Sequence, residues 1–319
     1  MIDPEPGLVE PPVPKRHETN PWTVAMVVLL VTLISFSLIG PFIGLMIAYP
    51  LYGGKPMDYI QDIANLNESM KMIYYVVQGC TTFFGLAVIP PLFWKAMTHK
   101  PIFGLFKGTR LTFVHFLITT GIVITFMGFI SVLMEWNANI DLPDGAFETW
   151  AKGLEEQLAE VTQYLTSFDN PGEYLVAVLV IAVLAGIGEE IVFRGLLQPA
   201  LQQATGNIHF AIWTSAIFFS ALHLQFYGFV PRVFLGALFG YLYYFSGNLS
   251  IPMFAHFMNN FLAVTAIYMG WSEVPGMETE NPEQAPWYVV AIMTAICGAL
   301  LYVFYNQFHK AQQQSAYLK

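Results

Sequence analysis

The stretch AVLAGIGEEIVFRG, residues 182–195, places two carboxylates and a guanidinium inside a strongly apolar segment and decides which kind of fold to expect. Two further apolar segments carry an imidazole, FFSALH with His223 and MFAHFMNN with His256. A charged side chain at the centre of a bilayer costs about 2.5–3.5 kcal/mol on insertion scales. A chain that keeps such groups in lipid is expected to use them, and these residue types activate water or bind metal.

The composition around these segments is that of a membrane protein. The 319 residues are 55% hydrophobic and 11% charged, and the mean hydropathy is +0.54. Soluble domains contain about 25% charged residues. The net charge of −9 argues against nucleic acid as a partner. We therefore expect an all-α, polytopic membrane helix bundle whose surroundings are membrane lipids.

The apolar runs predict about eight transmembrane helices, since a span needs about 20 residues. They lie near residues 22–49, 72–98, 111–134, 173–193, 207–224, 229–246, 250–270 and 286–308. We divide the chain into five parts. They are a disordered tail (1–20), a three-helix membrane part (21–135), a loop with an amphipathic helix (136–171), a membrane core that carries the polar residues (172–310) and a second tail (311–319).

Placing the N-terminal tail inside puts most of the 13 Lys and Arg residues on the cytoplasmic side. The positive-inside rule therefore predicts that both termini are cytoplasmic and that the loop at 136–171 is extracytoplasmic. The expected location is a bacterial inner (plasma) membrane.

The segment 146–168 is too polar to span, yet its apolar residues recur at spacings of three and four, which is typical of one face of an amphipathic helix. We expect this helix to lie on the outer surface of the bundle. It is either a passive interfacial helix or a lid over a substrate. Asp169, Asn170 and Pro171 then indicate a helix stop and a new helix start.

Glu190 and Arg194 lie four residues apart with the carboxylate first, which is the favourable order for a helical ion pair. We expect them to support each other. Glu189 points about 100° away around the same helix, so its own helix gives it no partner. It is the candidate general base.

The histidines also have neighbours one turn away, Phe219 before His223 and Asn260 after His256. Two imidazoles and the Glu189 carboxylate from three helices can converge inside a bundle. That set suits a catalytic zinc with an open water position. It equally suits a metal-free site in which the carboxylate deprotonates a water. Asn260 is alternatively an interhelical contact.

Convergence sets a condition on the helix that carries Glu189. On the predicted topology Glu189 and His256 lie toward the cytoplasmic half and His223 toward the other side. We therefore expect this helix to continue past residue 193 through LLQPALQQ, which brings Glu189 to mid-membrane.

The three motifs EEIVFR, FFSALH and HFMNN resemble those of the CPBP intramembrane proteases. This group comprises the type II CAAX prenyl endopeptidases and Ras-converting-enzyme-like proteins and is also called the Abi family. Its motifs are two Glu and an Arg, a Phe and a His, and a His with Asn or Asp, and every position is matched here. The resemblance covers about residues 172–265.

The resemblance implies an intramembrane endopeptidase, of metalloprotease type in one of the two interpretations, that cleaves a membrane-embedded or lipidated protein or peptide. It implies that the catalytic residues are Glu189, His223, His256 and Asn260. It implies that the supporting residues are Glu190, Arg194 and Phe219. If zinc takes part, the implied ligands are Glu189, His223 and His256. The alternative function is a non-catalytic bacteriocin-immunity or membrane scaffold protein of the same fold.

Overall fold

The computed structural model describes residues 19–106, 108, 110–140, 142, 145–271 and 286–317, with side chains described up to residue 309. Within these ranges the chain is helical and contains no strand, which confirms the all-α membrane bundle. The predicted tail at 1–20 lies almost wholly outside the described residues. Ten helices form the described part: α1 Pro21–Tyr52, α2 Pro56–Ala64, α3 Glu68–Thr98, α4 Phe113–Ala138, α5 Ala146–Thr166, α6 Pro171–Thr205, α7 Ile208–Ala221, α8 Phe229–Ser246, α9 Ser250–Tyr268 and α10 Trp287–Tyr317.

Each of the eight predicted spans coincides with one of these helices. Five described helices, namely α1, α3, α4, α6 and α10, are long and apolar enough to cross a membrane by length and composition. The helix α7, Ile208–Ala221, is apolar but shorter, and α8 and α9 are not among the five. Helix α6 is thus a strong candidate span although it carries Glu189, Glu190 and Arg194.

Close helix approaches occur where the sequence has glycine. A Cβ added to Gly40 or Gly44 on α1 would lie 2.8 Å from the Cα of Thr81 or Val77 on α3. Helix α1 packs along α3, α4 along α10, α7 along α8 and α6 along α9. The small-residue pattern GPFIG at residues 40–44 is therefore a helix contact.

Helix α6 is the element that positions the candidate site. Its start is capped by Asn170, whose side chain accepts a hydrogen bond from the Glu173 backbone N–H at 3.1 Å. It includes wider π-helical turns over Val178–Leu184 and Ile191–Leu197. It continues to Thr205 and ends at Gly206 in a left-handed conformation. The expected extension past residue 193 is confirmed.

The amphipathic segment forms α5 close to its predicted limits. Leu165 is buried near its end, whereas Phe147 and Trp150 near its start remain more than half exposed. The C-terminal half is tied down because Tyr164 donates a hydrogen bond to the Asn67 carbonyl. The two halves of the predicted apolar face therefore have different surroundings.

Candidate active site

Two helices and the end of a third bring the sequence-predicted groups together. The Glu189 Oε2 atom lies 3.9 Å from His223 Nε2 and 3.9 Å from His256 Nε2. The Glu189 side chain is 15% exposed, and its Oε2 is buried with no hydrogen-bond partner. The three motifs thus meet at one point, from α6, from the residues just after α7 and from α9.

The ion pair behind this point is fully buried. Arg194 Nη1 donates to Glu190 Oε1 at 2.7 Å, and Arg194 Nη2 donates to the Gly236 carbonyl at 2.7 Å. Glu190 and Arg194 are 0% and 1% exposed. Three aromatic rings surround the guanidinium, with Phe219 nearest at 4.7 Å from Cζ to the ring centroid. Hydrogen bonds and aromatic rings make such a pair tolerable in the interior, and Glu190 Oε2 is the one carboxylate oxygen of the pair left without a partner.

The arrangement of Arg194 depends on Gly236 in α8. A Cβ at this position would lie 3.1 Å from Arg194 Nη2 and 3.1 Å from the Phe219 ring. The glycine lets the α8 backbone approach the guanidinium and accept its hydrogen bond. The small-residue pattern GALFG at residues 236–240 is therefore a helix contact that forms part of the site.

His256 bridges the ion pair and Glu189. Its Nδ1 lies 2.8 Å from Glu190 Oε1, and a paired carboxylate only accepts, so Nδ1 carries the proton. The opposite nitrogen, Nε2, faces Glu189. The ring stacks on Phe239 with centroids 5.2 Å apart. Its orientation is thus fixed by a hydrogen bond at one edge and by an aromatic face.

His223 is oriented by the backbone of its own helix. Its Nδ1 lies 2.9 Å from the Phe219 carbonyl, which only accepts, so this nitrogen also carries a proton. The Nε2 lone pair then faces Glu189. The loop after His223 is held by the buried Asn137 of α4, which donates to the Phe226 carbonyl at 3.1 Å and accepts from Val230 N at 2.8 Å.

Asn260 lies one turn beyond His256 but its amide is engaged between helices. Its Nδ2 donates to the Ile181 carbonyl at 2.9 Å, and its Oδ1 accepts from Asn259 Nδ2 at 3.1 Å. This is the interhelical contact considered as the alternative for this residue. A role for Asn260 in catalysis stays a prediction that rests on its second amide N–H.

The zinc site stays a prediction as well. Among the described residues, no group of three or more His, Cys, Asp or Glu side chains is arranged to hold a metal ion. The separations of 3.9 Å from Glu189 to each imidazole exceed the roughly 3.4 Å expected between two ligand atoms on a tetrahedral zinc with bonds of about 2.0–2.1 Å. As these side chains lie, they do not fit the ion, so no step below uses a metal.

Several contributors to the site have no clear signal in the sequence. Asn137 lies more than eighty positions from the loop that it holds, and Phe239 is one phenylalanine among 27. Gln198 continues the polar face of α6 and donates to the Gly240 carbonyl at 3.2 Å. Its position eight residues after Glu190 is a detectable helical periodicity.

Comparisons with known proteins agree with the motifs. Residues 171–262 match the family model for the type II CAAX prenyl endopeptidase Rce1-like proteins. A curated relative, "Uncharacterized protein YpbD" of Bacillus subtilis (strain 168), is 32% identical over 85 residues, which is 25% of this chain. The chain spans 40% of the length of that relative. No solved structure matches the chain. The resemblance of the core is confirmed, and the chain is an integral membrane protein.

Proposed function

We propose that this protein is an intramembrane endopeptidase that hydrolyses a peptide bond in a membrane-associated protein or peptide, lipidated or not, with Glu189 as the general base. The observation that carries the proposal is the buried Glu189 Oε2, which lies 3.9 Å from Nε2 of both His223 and His256 and has no hydrogen-bond partner. The match of residues 171–262 to the Rce1-like endopeptidases supports the reaction class.

The first step uses the acceptor character of the site. Glu189 and the Nε2 lone pair of His223 are both acceptors, so one water molecule can donate to Glu189 and to His223 at once. Glu189 removes a proton from this water as its oxygen attacks the peptide carbonyl carbon.

The second step needs donors for the oxyanion. Glu190 and Arg194 cancel each other's charge, so the Glu189 carboxylate leaves one negative charge in the site. In this proposal His256 carries a proton on both nitrogens from the start and keeps both throughout, and its positive charge balances that negative charge. His256 then donates Nδ1–H to Glu190 and Nε2–H to the oxyanion, with the second N–H of Asn260 as a further donor.

The last step returns the proton. The carbon–nitrogen bond breaks, and the proton held by Glu189 passes to the leaving amine nitrogen. Glu190 and Arg194 take no part in bond making and hold α6 and His256 in place. On the proposed orientation the reaction occurs in a plasma membrane with both termini cytoplasmic.

The test is cleavage of a membrane peptide library by purified protein in lipid. We expect Glu189→Gln to lower turnover by at least about 100-fold, which is the usual contribution of a general base. Glu160→Gln, an exposed carboxylate on α5, is the control and should cleave normally. Equal turnover by wild type and Glu189→Gln would falsify the mechanism, whereas no turnover by either protein would favour the non-catalytic immunity or scaffold function.

A further inference from the structure

Arg232, near the start of α8, keeps a buried donor that no group in the described structure satisfies. Its Nη2 donates to Gln225 Oε1 at 2.9 Å. Its Nη1 is buried and has no hydrogen-bond partner. Most buried polar groups in proteins are paired, and a guanidinium can neither lose its charge nor accept a bond. Arg232 therefore has one charged N–H donor that is available to a ligand.

This donor belongs to the surroundings of the site. Gln225, the partner of Arg232, is two residues after His223, and Gly236, four residues after Arg232 on α8, binds Arg194. Arg232 is a different cation from Arg194, whose two terminal nitrogens are bound to Glu190 and Gly236. The roles proposed above leave Arg232 unused.

A complementary group lies on the amphipathic helix. Glu155 of α5 interacts electrostatically with Arg232, and its Oε2 is buried with no hydrogen-bond partner. Arg232 on α8 and Glu155 on α5 thus carry opposite charges, and each keeps one buried atom without a hydrogen-bond partner. Such an arrangement costs free energy unless another molecule completes it.

The space beside Gln225 is mostly apolar. A cavity of about 320 Å³ lies between α5 and the α7–α8 loop and extends to Gln225, the partner of Arg232. Its walls include the half-exposed Phe147 and Trp150 of α5 and Leu224, the residue after His223. A ligand seated here meets aromatic and aliphatic side chains and Gln225, the residue that binds Arg232.

We propose that Arg232 is a specificity-determining residue that binds a carboxylate of an apolar peptide substrate, and that Glu155 is its counter-charge when no substrate is bound. The inference rests on the proposed function, because it assigns a substrate class to the same site. A guanidinium suits a carboxylate by geometry and charge, and hydrogen bonds between charged groups are about twice as strong as neutral ones. The carboxylate is either the C-terminus of the peptide or an acidic side chain.

The test measures binding rather than cleavage, so it does not depend on turnover. Three acetylated tripeptide probes are used: trileucine with a free C-terminal carboxylate, the same peptide amidated, and an amidated peptide that ends in glutamate. We expect wild type to bind one of the two acids at least about ten-fold more tightly than the amidated trileucine. Preference for the free C-terminus or for the glutamate identifies the source of the carboxylate.

Variants at the two charges should act in opposite directions. Arg232→Gln should abolish the preference for the acid, and Arg232→Lys should restore part of it. Glu155→Gln should tighten binding of the acid a few-fold, because it removes the competing anion. Lys55→Gln, an exposed cation remote from the site, is the control and should bind as wild type does.

The outcomes separate this inference from the proposed function. Equal binding of acid and amide by wild type, including no binding of either, would overturn the role of Arg232, as would an acid preference that survives Arg232→Gln. If Glu155→Gln weakens acid binding, the counter-charge role is wrong. If binding is selective for the acid but Glu189→Gln cleaves normally, the role of Arg232 in binding a carboxylate is supported and the proposed hydrolytic mechanism is wrong.

Discussion

Glu190 has more binding partners than the other carboxylate of the site. Its Oε1 accepts from Arg194 at 2.7 Å and lies 2.8 Å from His256 Nδ1, and the residue has no solvent exposure. One oxygen thus fixes a cation on its own helix and an imidazole on another. Glu189 next to it has no such partner. In the proposed mechanism, Glu190 therefore supports the site and Glu189 carries out the chemistry, because the two side chains point in different directions around the helix.

Breaking the buried pair should destabilise the fold. Glu190→Gln leaves the buried guanidinium without its counter-charge, which costs about 3–5 kcal/mol when one partner of such a pair is removed. Thermal unfolding in detergent measures the effect. The exposed pair of Glu148 and Lys152, 2.7 Å apart on α5, is the matched control, and Glu148→Gln should change stability by less than about 1 kcal/mol. Comparable losses of stability in Glu190→Gln and Glu148→Gln would contradict the supporting role of Glu190.

Whether the site residues need a metal ion can be tested by removing it. The mechanism uses the carboxylate and imidazoles without a metal, so cleavage should survive treatment with a strong zinc chelator. Turnover before and after chelation, with elemental analysis of the same sample, is the measurement. Loss of activity that added zinc restores would establish the zinc-dependent alternative, with side chains closer together than 3.9 Å.

At the scale of elements, the distance between α6 and α9 controls the site. A Cβ on Gly186 of α6 would lie 3.0 Å from the backbone nitrogen of Phe257, the residue after His256. Backbone cannot move aside as a flexible side chain can. The glycine three residues before Glu189 therefore sets how closely the carboxylate approaches His256.

Gly186→Ala should separate the two helices and lower both stability and turnover. Overpacking of this kind costs about 1–3 kcal/mol, and it lengthens the separation of 3.9 Å between Glu189 and His256. Unfolding temperature and turnover are measured together. Gly153→Ala on α5 is the control, because a Cβ there meets nothing within 4 Å. That variant should be neutral or stabilised by about 0.5–1 kcal/mol. If Gly186→Ala is as active as Gly153→Ala, helix spacing does not limit the reaction.

At the scale of the whole molecule, contacts across the bundle join distant parts of the chain. Lys71 of α3 donates to the Ser167 carbonyl at 2.6 Å and to Glu173 at 3.2 Å. It therefore connects the first half of the chain to the end of α5 and the start of α6. Asn137 makes the corresponding link from α4 to the loop after His223. The N-terminal helices, which carry none of the motifs, thus help to hold the site in place.

Orientation in the membrane is the prediction for the whole molecule. The distribution of Lys and Arg predicts that α5 lies outside and that both termini are cytoplasmic. Glu160→Cys, on the exposed side of α5, should react with a membrane-impermeant thiol reagent in intact cells, after Cys80 and Cys297 are replaced by alanine. A cysteine added after residue 319 is the control and should react only in lysed cells. The opposite labelling pattern would invert the proposed topology.

The sequence alone determined the features that depend on local spacing. Length and hydropathy give the spans, and an interval of four residues puts Glu190 and Arg194 on one face of whatever helix contains them. The tertiary structure alone decided that His256 binds Glu190, that Asn260 binds the Ile181 carbonyl, and that Arg232 keeps a free donor beside the site. These contacts depend on the depth and rotation of separate helices, which periodicity within a single helix does not fix.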